Sequence, residues 1–117
     1  VDEERQLAPV TALSGSGPAY IFLVIEAMQA AAEQMGLSSE TARMLSIETA
    51  FGSSKLALES QDEVSVLRQR VTSKGGTTEK ALQILEDGGL RKLFYNAMQG
   101  AEERAEELAE QLGKDSL

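Results

Sequence analysis

Apolar positions along this chain recur every three or four residues and never alternate for long, so the pattern predicts helices from end to end. From Tyr20 to Met35 the polar positions are Glu26, Gln29, Glu33 and Gln34, a single narrow stripe. Ile21, Phe22, Leu23, Val24, Ile25, Met28 and the alanines cover the rest of that circumference. Such a helix is expected to be buried nearly all round. A small chain seldom surrounds one helix by itself, so part of the surface is expected to meet a second copy. Gly36 is placed to end this helix, and Ser38 or Ser39 to begin the next.

Residues 40–59 continue in helical period, with Ala42, Leu45, Thr49 and Leu56 inward. Gly52 lies in their midst and costs roughly 1 kcal/mol relative to alanine in a helix, which predicts a close helix crossing. Asp62 is a candidate cap for a shorter helix carrying Val64, Leu67 and Val71 on one face. Ala81, Leu82, Ile84 and Leu85 define another, stopped by Gly88-Gly89. The apolar stripe from Leu90 through Phe94, Met98, Ala101 and Ala105 to Leu112 defines the last. Glu102, Glu103, Glu106, Glu107 and Glu110 fall mostly off that stripe and read as a solvated face, with no metal site. Residues 3–12, interrupted by Pro9, fit either a short helix or an extended lead-in. The expected class is all-α, about six helices, in one domain spanning residues 1–117.

Composition narrows the chemistry. The 117 residues include 11 basic and 19 acidic ones, a net charge of -8, which disfavours nucleic acid and anionic membrane as partners. With no cysteine and no histidine, thiol nucleophiles, disulfides, imidazole bases and the usual zinc ligand sets are excluded from this chain. The longest apolar run, Ala19 to Ile25, is far shorter than the roughly 20 residues that span a bilayer. The acidic start has no hydrophobic signal region, so a cytoplasmic protein is expected, and the missing initiator methionine suggests a piece of something longer.

The candidate chemistry gathers in Val71-Thr72-Ser73-Lys74-Gly75-Gly76-Thr77-Thr78, between two helical segments. Adjacent glycines permit positive φ and leave no Cβ to block a ligand, while Thr77 and Thr78 open a helix whose free N–H groups favour an anion. Taken alone, such a cluster is most often only a turn with an N-cap. A Walker loop does not fit, because the lysine precedes the glycine pair. A second hydroxyl and glycine run, Thr11 to Tyr20, contains Pro18, suited to the first turn of a helix, and predicts another N-terminus of the same type, which taken alone is more often a capped helix start whose glycines permit close packing.

Together, Ala12-Leu13-Ser14-Gly15-Ser16-Gly17-Pro18-Ala19-Tyr20 and the Val71–Thr78 loop resemble the C-terminal domain of the pyrroline-5-carboxylate reductases. Met35-Gly36-Leu37 and Leu85-Glu86-Asp87-Gly88-Gly89-Leu90 also fit that pattern. The resemblance covers about Asp2 to Leu108. It implies a helical dimerisation and substrate domain like the C-terminal domain of 6-phosphogluconate dehydrogenase, interleaved with a second copy in a homodimer, with dimers gathering into decamers. It implies NADPH- or NADH-dependent reduction of 1-pyrroline-5-carboxylate, a small imino acid, to L-proline. It also implies a cofactor-binding Rossmann domain that is absent from this chain.

Carried over by position, Ser73 and the N–H groups of Gly75, Gly76, Thr77 and Thr78 would bind the substrate carboxylate, and the Thr78 hydroxyl would face the imine nitrogen. Gly15-Ser16-Gly17 lacks a preceding strand and a third glycine, so no cofactor-binding residue is assigned here. Lys74 stands where the family often has proline. The contrasting expectation is a helical oligomerisation module without activity of its own.

Overall fold

A computed structural model describes the chain from residue 3 to residue 115. Its elements are α1 (Glu3–Val10), one π-turn (Thr11–Gly15), α2 (Gly17–Gln34), α3 (Ser39–Glu59), α4 (Val64–Arg70), α5 (Thr77–Asp87) and α6 (Leu90–Asp115). No strand occurs among the described residues, and the fold is all-α. The lead-in is helical, with Pro9 inside α1.

The run from Thr11 to Tyr20 departs from expectation. It is no fresh helix start, because α1 passes through the π-turn into α2. Pro18 accounts for this: it has no N–H to donate to Ser14, and its ring crowds that carbonyl in regular α geometry. One wider turn resolves the conflict, closed by the Ser16 N–H donating to the Thr11 carbonyl at 2.9 Å. The Ser14 hydroxyl donates to the Val10 carbonyl at 3.0 Å, and the Tyr20 hydroxyl donates to the Ala12 carbonyl at 2.8 Å. These hydroxyls serve the backbone of one continuous helical run, so the second anion-type N-terminus is not formed. That run, Arg5–Gln34, is by length and composition apolar enough to cross a membrane, which the short uninterrupted stretch from Ala19 to Ile25 did not suggest.

Local signals at the following junctions act as expected. Gly36 has φ 106°. Its N–H donates to Glu33 and that of Leu37 to Ala32, the paired bonds of a Schellman end. The Ser38 hydroxyl caps α3, accepting from the Thr41 N–H at 3.2 Å. Asp62 does not cap α4. Glu63 holds the cap position without a side-chain bond, while the Asp62 carboxylate pairs with Arg70 at 2.7 Å. The guanidinium offers a charged partner that outcompetes a lone N–H for the carboxylate.

Two compact units result, one built from the chain up to Tyr20 and from Leu85 onward, the other from Ile21 to Ile84. In the first, α6 lies on α1 and the π-turn. Ala12 is buried there, and the rings of Tyr20 and Phe94 meet edge to face with centroids 6.3 Å apart. In the second, Ala42 and Ser46 are buried, whereas Leu45 and Leu56 are exposed. Among the described residues nothing lies within 4 Å of where a Cβ would stand on Gly52, so they do not make the predicted close crossing. None of the residues of α2 is buried, and Phe22 and Leu23 stay 64% and 66% exposed.

Ile21, Phe22, Leu23, Phe51, Leu58 and Leu93 are among the large apolar side chains left exposed, the kind of surface that a dimer covers.

Candidate functional site in the loop between α4 and α5

Helix α4 ends at Arg70, and the Thr72 hydroxyl donates to the Arg68 carbonyl at 2.6 Å, satisfying one of the carbonyls left open at the helix end. The chain then turns sharply over Ser73-Lys74-Gly75-Gly76, closed by the Gly76 N–H donating to the Ser73 carbonyl at 3.0 Å. Gly75 has φ 74° in the third position of this turn, a backbone conformation that a side chain disfavours there. Gly76 does not have positive φ, and its need for glycine is spatial. A Cβ at that position would lie 3.3 Å from the Ser73 carbonyl oxygen. One glycine therefore serves the dihedral and the other the close approach. Turns of this kind favour proline in the second position, where Lys74 stands, and the turn closes with lysine all the same.

Helix α5 starts at Thr77 immediately after the turn. The Lys80 N–H, bonded to the Gly76 carbonyl at 3.3 Å, is the first to find a backbone acceptor. The N–H groups of Thr77 and Thr78 precede it and carry the partial positive charge of the helix start. Ser73, Thr77 and Thr78 are exposed, and none of their hydroxyls is bonded among the described residues. The structure thus brings Ser73, Gly75, Gly76, Thr77 and Thr78 onto one turn and the helix start that follows it.

It also redistributes their donors. The Gly76 N–H is used inside the turn, and the Gly75 N–H donates to the Glu79 carboxylate at 3.0 Å. Of the four amide donors expected for an anion, Thr77 and Thr78 remain open in this arrangement. Glu79 is the residue that sequence reasoning overlooked. A signal existed, since a glutamate three residues after the cap position commonly reaches back across the first turn.

The described residues contain no strand, and Gly15-Ser16-Gly17 lies within and just after the π-turn, where the Ser16 N–H donates to the Thr11 carbonyl.

The pyrroline-5-carboxylate reductase dimerisation family matches residues 4–108. The chain is 49% identical over 114 residues to the pyrroline-5-carboxylate reductase of Pseudomonas aeruginosa, covering 97% of this chain and 42% of that protein. Among solved structures it resembles a pyrroline-5-carboxylate reductase from Coxiella burnetii, with TM-score 0.89 and 55% identity over 92% of this chain and 40% of the other. It also resembles the Plasmodium falciparum pyrroline carboxylate reductase with NADP bound, with TM-score 0.84 and 35% identity over 86% of this chain and 38% of the other. The chain spans about two fifths of the length of these relatives. With the match running from the first turn of α1 through most of α6, the chain belongs to the pyrroline-5-carboxylate reductase dimerisation family.

Proposed function

We propose that this chain is the dimerisation and substrate-binding domain of a cytoplasmic pyrroline-5-carboxylate reductase. Such an enzyme reduces 1-pyrroline-5-carboxylate to L-proline with NADPH or NADH. The observation that carries the reading is the Ser73–Gly76 turn with Gly75 at positive φ, which leads directly into the start of α5, where the Thr77 and Thr78 N–H groups have no backbone acceptor. The ligand carries its carboxylate on the ring carbon bonded to the imine nitrogen, and the loop supplies donors suited to both groups. Ser73 with the Thr77 and Thr78 amides anchors the carboxylate, joined by the glycine amides as the turn opens. The Thr78 hydroxyl donates to the imine nitrogen. A hydroxyl is too weak an acid to protonate it unaided, so Thr78 hydrogen-bonds the nitrogen or relays a proton from water. The nicotinamide supplies the hydride and is held by a dinucleotide-binding domain outside this chain.

The apolar face of α2 supports a homodimer, which also accounts for the helix without a membrane. Assembly of dimers into a decamer belongs to the same proposal, and sedimentation at micromolar protein measures both levels. In the full-length reductase, Ser73→Ala is expected to raise KM several-fold and leave kcat nearly unchanged, because the carboxylate contact is made equally in ground and transition states. An unchanged KM in steady-state kinetics refutes the anchoring role. The 117 residues alone are expected neither to oxidise NADPH with the imino acid nor to bind the dinucleotide tightly, since no strand-turn-helix phosphate site is present among the described residues. Turnover by the isolated chain, followed by absorbance of the reduced cofactor, would overturn that division of labour.

A further inference from the structure

We infer that Glu79 is an internal competitor for the substrate's carboxylate, an autoinhibitory contact built into the first turn of α5; this rests on the loop being the carboxylate site. Its Oε1 accepts from the Gly75 N–H at 3.0 Å, so a protein carboxylate already occupies one of the donors that the loop offers to an anion.

Three features make this contact displaceable. Glu79 is exposed and lies on the first turn, so its side chain can swing into water without opening a core. Among the described residues no lysine or arginine forms an ion pair with it, although Lys74 and Lys80 are its neighbours in sequence, so its full charge faces whatever approaches the turn. The turn itself is closed by the separate bond from the Gly76 N–H to the Ser73 carbonyl, and the φ of Gly75 is permitted by glycine, so neither depends on Glu79. A substrate carboxylate arriving at Ser73, Thr77 and Thr78 meets a like charge within the same turn. It binds with Glu79 rotated away, freeing the Gly75 N–H as a further donor. Glu79 therefore weakens the hold on substrate and product alike without touching the reacting imine.

The test is steady-state kinetics of the full-length reductase carrying Glu79→Gln, which keeps the size and an acceptor oxygen but removes the charge. KM for 1-pyrroline-5-carboxylate should fall about fivefold, the size of one like-charge contact at about 4 Å screened as in bulk water, with kcat within twofold of the parent enzyme. The inhibition constant of L-proline should fall in parallel, while that of L-prolinamide, which lacks the carboxylate, should not. Glu79→Ala should act in the same direction. If Glu79→Gln leaves KM unchanged or raises it, or if Glu79→Ala raises it, then Glu79 supports the turn and the inference is overturned. Ser73→Ala measured alongside separates the two claims. A normal Ser73 effect with an inert Glu79→Gln removes only the competitor, whereas an inert Ser73→Ala removes the carboxylate site itself.

Discussion

Thr78→Ala in the full-length reductase is expected to lower kcat and kcat/KM together by about 10²-fold, the order typical of one positioned acid–base or electrostatic group. The expectation follows from position. Thr78 sits in the first turn of α5, exposed, with its hydroxyl unbonded among the described residues, two residues after the turn that would fix the carboxylate. A five-membered imino acid anchored by its carboxylate at that turn has its nitrogen only a few bonds away. A donor at the nitrogen strengthens as the C=N carbon accepts hydride and the nitrogen becomes an amine, so the contact is worth more in the transition state than in the ground state. Thr78→Ser keeps the donor and should retain most of the rate. The competing role is purely conformational: if Thr78 only supports the helix start, alanine should lower stability by roughly 1 kcal/mol while turnover stays normal. Melting temperature and kcat measured on the same preparation separate these outcomes, and a variant that melts lower but turns over normally ends the catalytic assignment.

Leu23→Asp should abolish the dimer and, with it, much of the fold. Leu23 is 66% exposed on α2 of the single protomer, beside Phe22 at 64%, on a helix with none of its residues buried by its own chain. Dimerisation places such side chains in an apolar interface, where an unpaired carboxylate costs several kcal/mol, and twofold symmetry introduces the charge twice. Because a chain with so little core has few contacts to fall back on, loss of the dimer and loss of helicity should coincide. Glu26→Gln is the control, lying on the narrow polar stripe of the same helix, and should leave assembly intact. Sedimentation together with far-ultraviolet circular dichroism reads both. A folded, dimeric Leu23→Asp protein would show that this face of α2 is not the interface.

Features set by neighbours a few residues apart were legible in the sequence. Gly36 ends α2 through bonds to residues three and five positions earlier, and Ser38 caps α3 through a residue three positions later. The Ser73–Gly76 turn and the start of α5 at Thr77 follow from glycine dihedrals and the order of residue types. The apolar circumference of α2 implies a second copy from residue order alone, because that inference needs only the ratio of apolar surface to chain length.

What the tertiary structure alone decided are the choices among partners of similar worth. Asp62 could cap α4 or meet Arg70, and the ion pair across α4 took it. Pro18 could open a new helix or be absorbed by a π-turn, and the carbonyl of Ala12, met by the Tyr20 hydroxyl, supports the second solution. Glu79 could extend into water or return to Gly75; its place three residues after the cap position permits the return, and the folded turn selects it. Burial is the extreme case: periodicity says which face of a helix is apolar, but whether Leu45, Leu56 or Gly52 meets its own chain or another depends on where the helices go. In one protomer those positions stay open, since contacts supplied by a second chain are not a property of local sequence.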